Sequence, residues 1–241
     1  MTLHAHIRSA PLRVAITGGT SGLGLALVRA FSDAGAEVAF VARTPAAVAA
    51  VTAETGAVGI VADVAQKHDI HPIALQVNAA LGGLDVLINN ASDLGPTPLT
   101  LLADTDCEDL ERALATNLVG PFRLTKALLG ALAASAREGR GAVVVNISSD
   151  AAVTPYETWG AYGASKAALK HLSAIWNAEL AGEGVRVISV DPGDMDTPLH
   201  AAAIPDADPS QLKRPESAAQ EIIAAICAAL PAAEPARAGA P

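Results

Sequence analysis

Short apolar runs alternate with longer amphipathic stretches from residue 13 onward. Six runs are rich in β-branched residues and bounded by Gly, Asp or a polar turn: Arg13–Thr17, Glu37–Ala42, Ala57–Ala62, Leu84–Asn89, Ala142–Ile147 and Val185–Val190. None alternates cleanly between apolar and polar positions, and continuous apolar runs of this length predict strands buried on both faces, as in a parallel sheet. The stretches between them predict helices near Gly22–Ala34, Pro45–Glu54, Asp69–Ala80, Asp106–Arg137 and Tyr162–Ala181. A last amphipathic helix is expected over Glu216–Leu230, with Ile222, Ile223 and Ile226 on one face. Thr44-Pro45 reads as an N-cap followed by proline at the first helical position. The Asp106–Arg137 stretch is long, and Pro121 is expected to bend or divide it. Together these elements predict a doubly wound parallel α/β sheet with right-handed crossovers, in one domain over residues 13–230. Residues 1–12 read as an N-terminal extension, and the Pro/Ala-rich residues 231–241 as a mobile tail.

Composition narrows the function classes. With 241 residues, 51% of them hydrophobic, the chain is long enough for a sizeable core. Its 16 Lys and Arg against 25 Asp and Glu leave a net charge of −9, which argues against nucleic-acid or anionic-membrane partners. No uncharged run exceeds 15 residues, and one such run, Val14–Val28, contains four glycines, so no membrane span is expected. The first 12 residues carry no apolar core of a signal peptide, and a cytoplasmic location is expected. Cys107 and Cys227 have no metal-ligand spacing and imply no disulfide framework. No metal constellation is evident, and His68 and His71, three apart on a helix, are expected at the surface.

The first strand runs directly into Thr17-Gly18-Gly19-Thr20-Ser21-Gly22-Leu23-Gly24, which opens the first helix. Glycines there permit a tight turn and close backbone approach, and a helix N-terminus offers free N–H groups to a pyrophosphate, so the segment reads as a Rossmann-type dinucleotide cradle. A plain glycine turn is the alternative. The second strand ends in Ala42 and Arg43, followed by Thr44, with no carboxylate to accept from an adenosine ribose. A guanidinium there pairs with a 2′-phosphate, and one charge-assisted hydrogen bond of about 1.5–3 kcal/mol favours NADP(H) over NAD(H) by roughly 10- to 150-fold. NAD(H) is the weaker alternative. Asp63, with Val64 beside it, follows the third strand and either accepts from the adenine amino group or forms a turn.

Tyr162 and Lys166 stand four residues apart, on one face of a helix. A nearby cation brings a phenol toward the range useful for proton transfer. Ser149 follows the fifth strand, at the sheet edge where open α/β sheets bind ligands. With the glycine loop, these residues resemble the short-chain dehydrogenase/reductase family over roughly residues 13–229. The matching pieces are Thr17–Gly24, Asn89-Asn90-Ala91 before Ser92, Asn117, Ser148-Ser149, Tyr162–Lys166, and Pro192-Gly193 with Thr197. The resemblance implies a catalytic tetrad. Tyr162 would act as acid or base, Ser149 would polarise the substrate oxygen, Lys166 would bind the nicotinamide ribose and depress the Tyr162 pKa, and Asn117 would fix a relay water. It also implies that Asn89, Asn90 and Ala91 line the cofactor cleft, that Pro192, Gly193 and Thr197 contact the nicotinamide end, and that Ala42 and Arg43 occupy positions that select NADP(H).

The chain departs from that family in two places. Ser92 stands where a glycine is usual, which adds a hydroxyl near the cleft. After the last helix there is no β-branched run for a seventh strand. A homodimer through helices near Leu118–Arg137 and Tyr162–Ala181 is expected, with a tetramer less secure. Asp93, Leu94, Asp150, Trp159, Met195 and Leu199 are expected around the substrate, with Ala201–Pro215 as a lid. The acids Asp150, Glu157, Asp194 and Asp196 either favour a polar or cationic substrate or are solvated loop charges. The function expected is that of a carbonyl reductase or alcohol dehydrogenase using NADP(H) on a small molecule. A 3-oxoacyl-carrier-protein reductase is the runner-up, and a non-catalytic NADP(H) sensor comes third.

Overall fold

A computed structural model describes residues 11–231. The strands are β1 (Arg13–Thr17), β2 (Glu37–Ala42), β3 (Val58–Val61), β4 (Val86–Asn89), β5 (Ala142–Ile147) and β6 (Val185–Val190). They form one parallel sheet in the order β3-β2-β1-β4-β5-β6, and among the described residues no seventh strand follows. The unbroken apolar runs are explained by burial on both faces. Val14, Ile16, Val86, Ile88, Val143 and Val145 point into one core layer, while Ala15, Leu87 and Val144 point into the other. The first layer is closed by α1 (Gly22–Asp33), α2 (Pro45–Thr55) and α8 (Pro215–Ala229), the last burying Ile222, Ile223 and Ile226 as the spacing predicts. The second is closed by α3 (Ile70–Leu81) and α5 (Gly120–Arg137), with Leu124, Leu128 and Leu132 inward. The second layer also takes α6 (Gly160–Leu180), whose Trp176 and Leu180 pack there beside β6, and the short α7 (Pro198–Ala203) follows β6 beyond the sheet's C-terminal edge.

One expectation is refined and two change. The long Asp106–Arg137 helix is divided next to Pro121: α4 (Cys107–Leu114) passes through a π-helical turn, Ala115–Val119, into α5. Pro121 lies in the first turn of α5 and has no N–H for the i→i−4 bond to Asn117 inside that π turn. Thr44 does precede α2 with extended backbone, yet its side chain makes no capping hydrogen bond. Leu12, placed by sequence in the extension, is buried in the first core layer. Residues 1–10 and 232–241, most of the expected extension and tail, lie outside the described residues.

Below the sheet, at the N-terminal ends of its strands, Asp85 is fully buried. It accepts from Arg13 Nη2 at 2.7 Å, Arg140 Nη2 at 2.6 Å and the Arg13 backbone N–H at 2.9 Å, and also from the Ser135 hydroxyl. This network ties β1, β4 and the α5–β5 turn together. It leaves the opposite edge of the sheet free for chemistry.

Candidate active site

Strand order reverses between β1 and β4, and the loops beyond their C-terminal ends open into a cavity of about 620 Å³. One end is the glycine loop. Gly18 and Gly22 have φ of +71° and +49°, in the left-handed region that favours glycine. A Cβ on Gly24 would run into the Gly18 carbonyl oxygen, and one on Gly22 would lie 3.1 Å from Thr197 Cγ2. Backbone therefore lines the cavity at Gly18, Thr20, Ser21, Gly22, Leu23 and Gly24, at the N-terminus of α1. Arg43 and Thr44 lie at the rim, both exposed, and Arg43 makes no hydrogen bond or ion pair among the described residues. Asp63 and Val64 also face the cavity; Asp63 Oδ1 meanwhile accepts from the Ala65 N–H at 3.0 Å, so the turn-forming reading and the lining position hold together.

Asn90 fastens this end to β4. Its Nδ2 donates to the Thr17 carbonyl at 2.9 Å, while Thr17 Oγ1 accepts from the Asn90 and Ala91 N–H groups, each at 3.0 Å. Asn90 and Ala91 line the cavity. Asn89 does not: it is buried and donates to Asn146 Oδ1 at 2.8 Å, across the β4–β5 pair.

At the other end stand Ser149, Tyr162 and Lys166, with Pro192, Gly193 and Thr197 beside them. Lys166 is buried, and its Nζ donates to the Ile147 carbonyl at 2.8 Å and lies 5.4 Å from the Tyr162 ring centre. Burial pulls the ammonium down to about 8. Burial also pushes the Tyr162 phenol up to about 12, opposed by hydrogen bonding from the Ser149 and Ser92 hydroxyls. Burial outweighs the two hydroxyls, which offset it only in part, so the phenol stays above its ordinary value. Asn117, in the π turn, does not itself line the cavity: its buried carboxamide has Nδ2 donating to the Asp93 carbonyl at 2.7 Å and Ser165 Oγ at 2.8 Å, and Oδ1 accepting from the Asp93 N–H at 2.8 Å.

All six expected pocket residues, Asp93, Leu94, Asp150, Trp159, Met195 and Leu199, line the cavity. Leu94 and Trp159 pack with Tyr162, the Trp159 ring edge-on at 5.7 Å. Asp150 is braced by the Tyr156 hydroxyl at 2.6 Å. Glu157 and Asp196 are not among the lining residues. The lid reading shifts toward the N-terminus: Thr197 through His200, Ala203 and Ile204 face the cavity, whereas 205–215 do not. Ala203 and Ile204, at the end of α7 and its exit, are the part of the expected Ala201–Pro215 lid that lines the cavity; the helix itself was not expected, because six residues carry too few turns to show a periodicity. Sequence reasoning missed the clamp from Arg112, whose Nη2 donates to the Gly95 carbonyl at 2.6 Å. Among the described residues no group of three or more His, Cys, Asp or Glu is placed to hold a metal ion, and no helix is long and apolar enough to cross a membrane.

A parallel sheet of this order, with a backbone cradle at one end of its crevice and a Ser–Tyr–Lys group at the other, defines a nucleotide-dependent oxidoreductase of the Rossmann type. Residues 13–208 match the family described as short chain dehydrogenase, and the chain belongs to that family. It is 36% identical over 184 residues to the 2,3-dihydro-2,3-dihydroxybenzoate dehydrogenase of Escherichia coli (strain K12), covering 76% of this chain and 69% of that one. It is 33% identical over 187 residues to the L-fucose dehydrogenase of Mus musculus, covering 77% and 66%. The match thus spans about two thirds of these relatives' length. Among solved structures, a short-chain dehydrogenase from Streptomyces avermitilis superposes with a TM-score of 0.79 at 30% identity, covering 91% of this chain and 85% of that one. A 3-ketoacyl-(acyl-carrier-protein) reductase from Brucella melitensis, complexed with NADH, gives 0.81 at 27% identity and covers 89% of both.

Proposed function

We propose that the protein moves a hydride between NADP(H) and a small-molecule carbonyl or alcohol, in the manner of a carbonyl reductase. The observation that carries this reading is one continuous cavity with an unpaired Arg43 at its cradle end and the Tyr162–Ser149–Lys166 group at the other. The residues fit the cofactor: the Gly18–Gly24 backbone would hold the pyrophosphate, Arg43 a 2′-phosphate, and Lys166 a ribose hydroxyl once it leaves the Ile147 carbonyl. Nicotinamide, when bound, supplies or takes the hydride. Tyr162, protonated throughout the neutral range, gives its proton to the carbonyl oxygen in reduction, while the Ser149 hydroxyl holds that oxygen in place.

A 3-oxoacyl thioester on an acidic carrier is the second reading, favoured by the likeness to the Brucella reductase. The net charge of −9 and the weakly basic Ala131–Arg137 end of α5 oppose it. The contact of the exposed Phe122 with Trp176, ring centres 5.8 Å apart, supports a homodimer through α5 and α6. The decisive experiment follows NADPH consumption against ketones, diketones and a 3-oxoacyl thioester, with Tyr162→Phe alongside. Turnover of one carbonyl class that falls at least 100-fold in the variant is the expected result. Binding of NADPH without Tyr162-dependent turnover of any of them would leave the cleft reading standing and favour an alcohol outside the panel or a non-catalytic sensor.

A further inference from the structure

Ser149 and Asp150 follow β5 directly, and both line the cavity. The Ser149 hydroxyl donates to Asp150 Oδ1 at 3.0 Å. Two further donors fix the same carboxylate: the Ala151 N–H reaches Oδ1 at 2.7 Å, and the Tyr156 hydroxyl donates to Oδ2 at 2.6 Å. Hydrogen bonds from Tyr156, Ser149 and the Ala151 N–H hold the Asp150 carboxyl below its ordinary range, so it is an anion at neutral pH. Two other acids of the cavity are already committed. Asp93 Oδ1 accepts from the Gly95 N–H at 2.8 Å and its Oδ2 from Arg112 at 3.3 Å, while Asp191 Oδ1 accepts from the Gly193 N–H at 2.9 Å.

On the reading proposed above, Ser149 turns its hydroxyl to the substrate oxygen. Asp150 Oδ1 then keeps the Ala151 N–H and has an acceptor position open, next to the point where that oxygen sits. The group that fills it must carry a proton and stand about a hydrogen-bond length from the reacting oxygen, as Oδ1 stands from Ser149 Oγ. A hydroxyl on the adjacent carbon meets both conditions when the two oxygens turn to the same side. We propose that Asp150 is a specificity-determining residue and that the substrate is an α-hydroxycarbonyl compound, or a vicinal diol in the oxidative direction. Ser149 donates to the reacting oxygen while Asp150 Oδ1 accepts from the hydroxyl beside it. No covalent bond changes in this exchange: Ser149 keeps its proton and so does the substrate hydroxyl. A ketone without that hydroxyl leaves Oδ1 short of a donor, so the cost falls on the wrong substrate. The proposal rests on the assignment of Ser149 as the group that holds the substrate oxygen.

The test compares kcat/KM with NADPH for matched ketones that differ by one hydroxyl: hydroxyacetone against acetone, and α-hydroxyacetophenone against acetophenone. Wild type is expected to favour the hydroxylated partner of a pair by roughly 5- to 50-fold, the lower part of what a hydrogen bond to a charged group gives, because Asp150 is open to solvent. Asp150→Ala should bring that ratio close to one, and Asp150→Asn, which keeps an acceptor oxygen, should lie between. The turn survives either change, since Ser149 Oγ also accepts from the Ala151 N–H at 3.2 Å. A wild-type ratio near one, or a ratio that Asp150→Ala leaves unchanged, would overturn the proposal. Where no ketone is turned over, saturation-transfer NMR on the protein with NADP+ decides, using 1-phenyl-1,2-ethanediol and 1-phenylethanol as probes. Stronger transfer to the diol that is lost in Asp150→Ala would uphold recognition by Asp150 while counting against the oxidoreductase reading; equal or absent transfer would overturn the proposal.

Discussion

The Lys166 ammonium is buried with one hydrogen bond to a carbonyl and no counter-ion, and its pKa sits at about 8 against 10.5 for the free side chain. Between those values the unfolded chain holds the proton more tightly than the folded one, so stability rises as pH rises from 8 to 10.5. Below pH 8 the full cost, about 3 kcal/mol, is present. Lys166→Met is therefore expected to raise the unfolding free energy at pH 7 by about 1–3 kcal/mol in urea titrations while abolishing turnover. Unchanged or lower stability would show that the ammonium is better solvated than its burial implies. Tyr162 acts in the other direction: with its phenol raised to about 12, stability falls as pH climbs from 10 to 12. Thr158 is a third residue under tension, a β-branched side chain at φ +71° just before Trp159. Thr158→Gly should raise Tm by roughly 2–4 °C, measured calorimetrically, as about 1 kcal/mol of backbone strain is released.

Among the elements, the segment from Asp93 to Gly95 is a fixed wall. Arg112 on α4 donates to Asp93 Oδ2 at 3.3 Å and to the Gly95 carbonyl, and Asn117 grips Asp93 from the π turn. Leu94 is thereby held against Tyr162. Arg112→Ala is expected to raise KM for the carbonyl substrate several-fold with a smaller change in kcat, because the wall loosens while the Tyr162 group stays in place. Equal losses in both would place Arg112 in the chemistry itself. The helix that carries these clamps was only partly legible. Apolar spacing ran Asp106–Arg137 together with only Pro121 to mark a break, since a single π turn displaces the pattern by one residue, less than the scatter in the pattern itself. The strands were legible within two residues; in the central β1, β4 and β5 burial on both sides leaves no alternative to a nearly continuous apolar run, and the edge strands β3 and β6, though part-exposed, keep β-branched runs bounded by glycine or aspartate.

For the molecule as a whole, Asp85 is the tie. Burial works to raise its pKa, but hydrogen bonds from Arg140, Arg13 and Ser135 outweigh that and hold it at about 2. Its contribution is fully present above pH 3.8 and is lost as pH falls toward 2, about 2 kcal/mol in all. Asp85→Asn leaves two guanidinium groups facing an uncharged amide and is expected to cost about 3–5 kcal/mol in denaturant unfolding, with kcat of the remaining folded protein little changed. A neutral effect would mean that Arg13 and Arg140 are satisfied by solvent. By itself the sequence determined the alternation of strands and helices, the glycine cradle and the shared face of Tyr162 and Lys166, because each depends on backbone geometry within a few consecutive residues. Only the tertiary structure decided that Ser92 meets Asn117, that the Asn117 carboxamide is held by Asp93 and Ser165, and that Lys166 is held low while Tyr162 is held high. Those outcomes depend on burial and on partners 19 to 48 residues away along the chain, a separation no local pattern encodes.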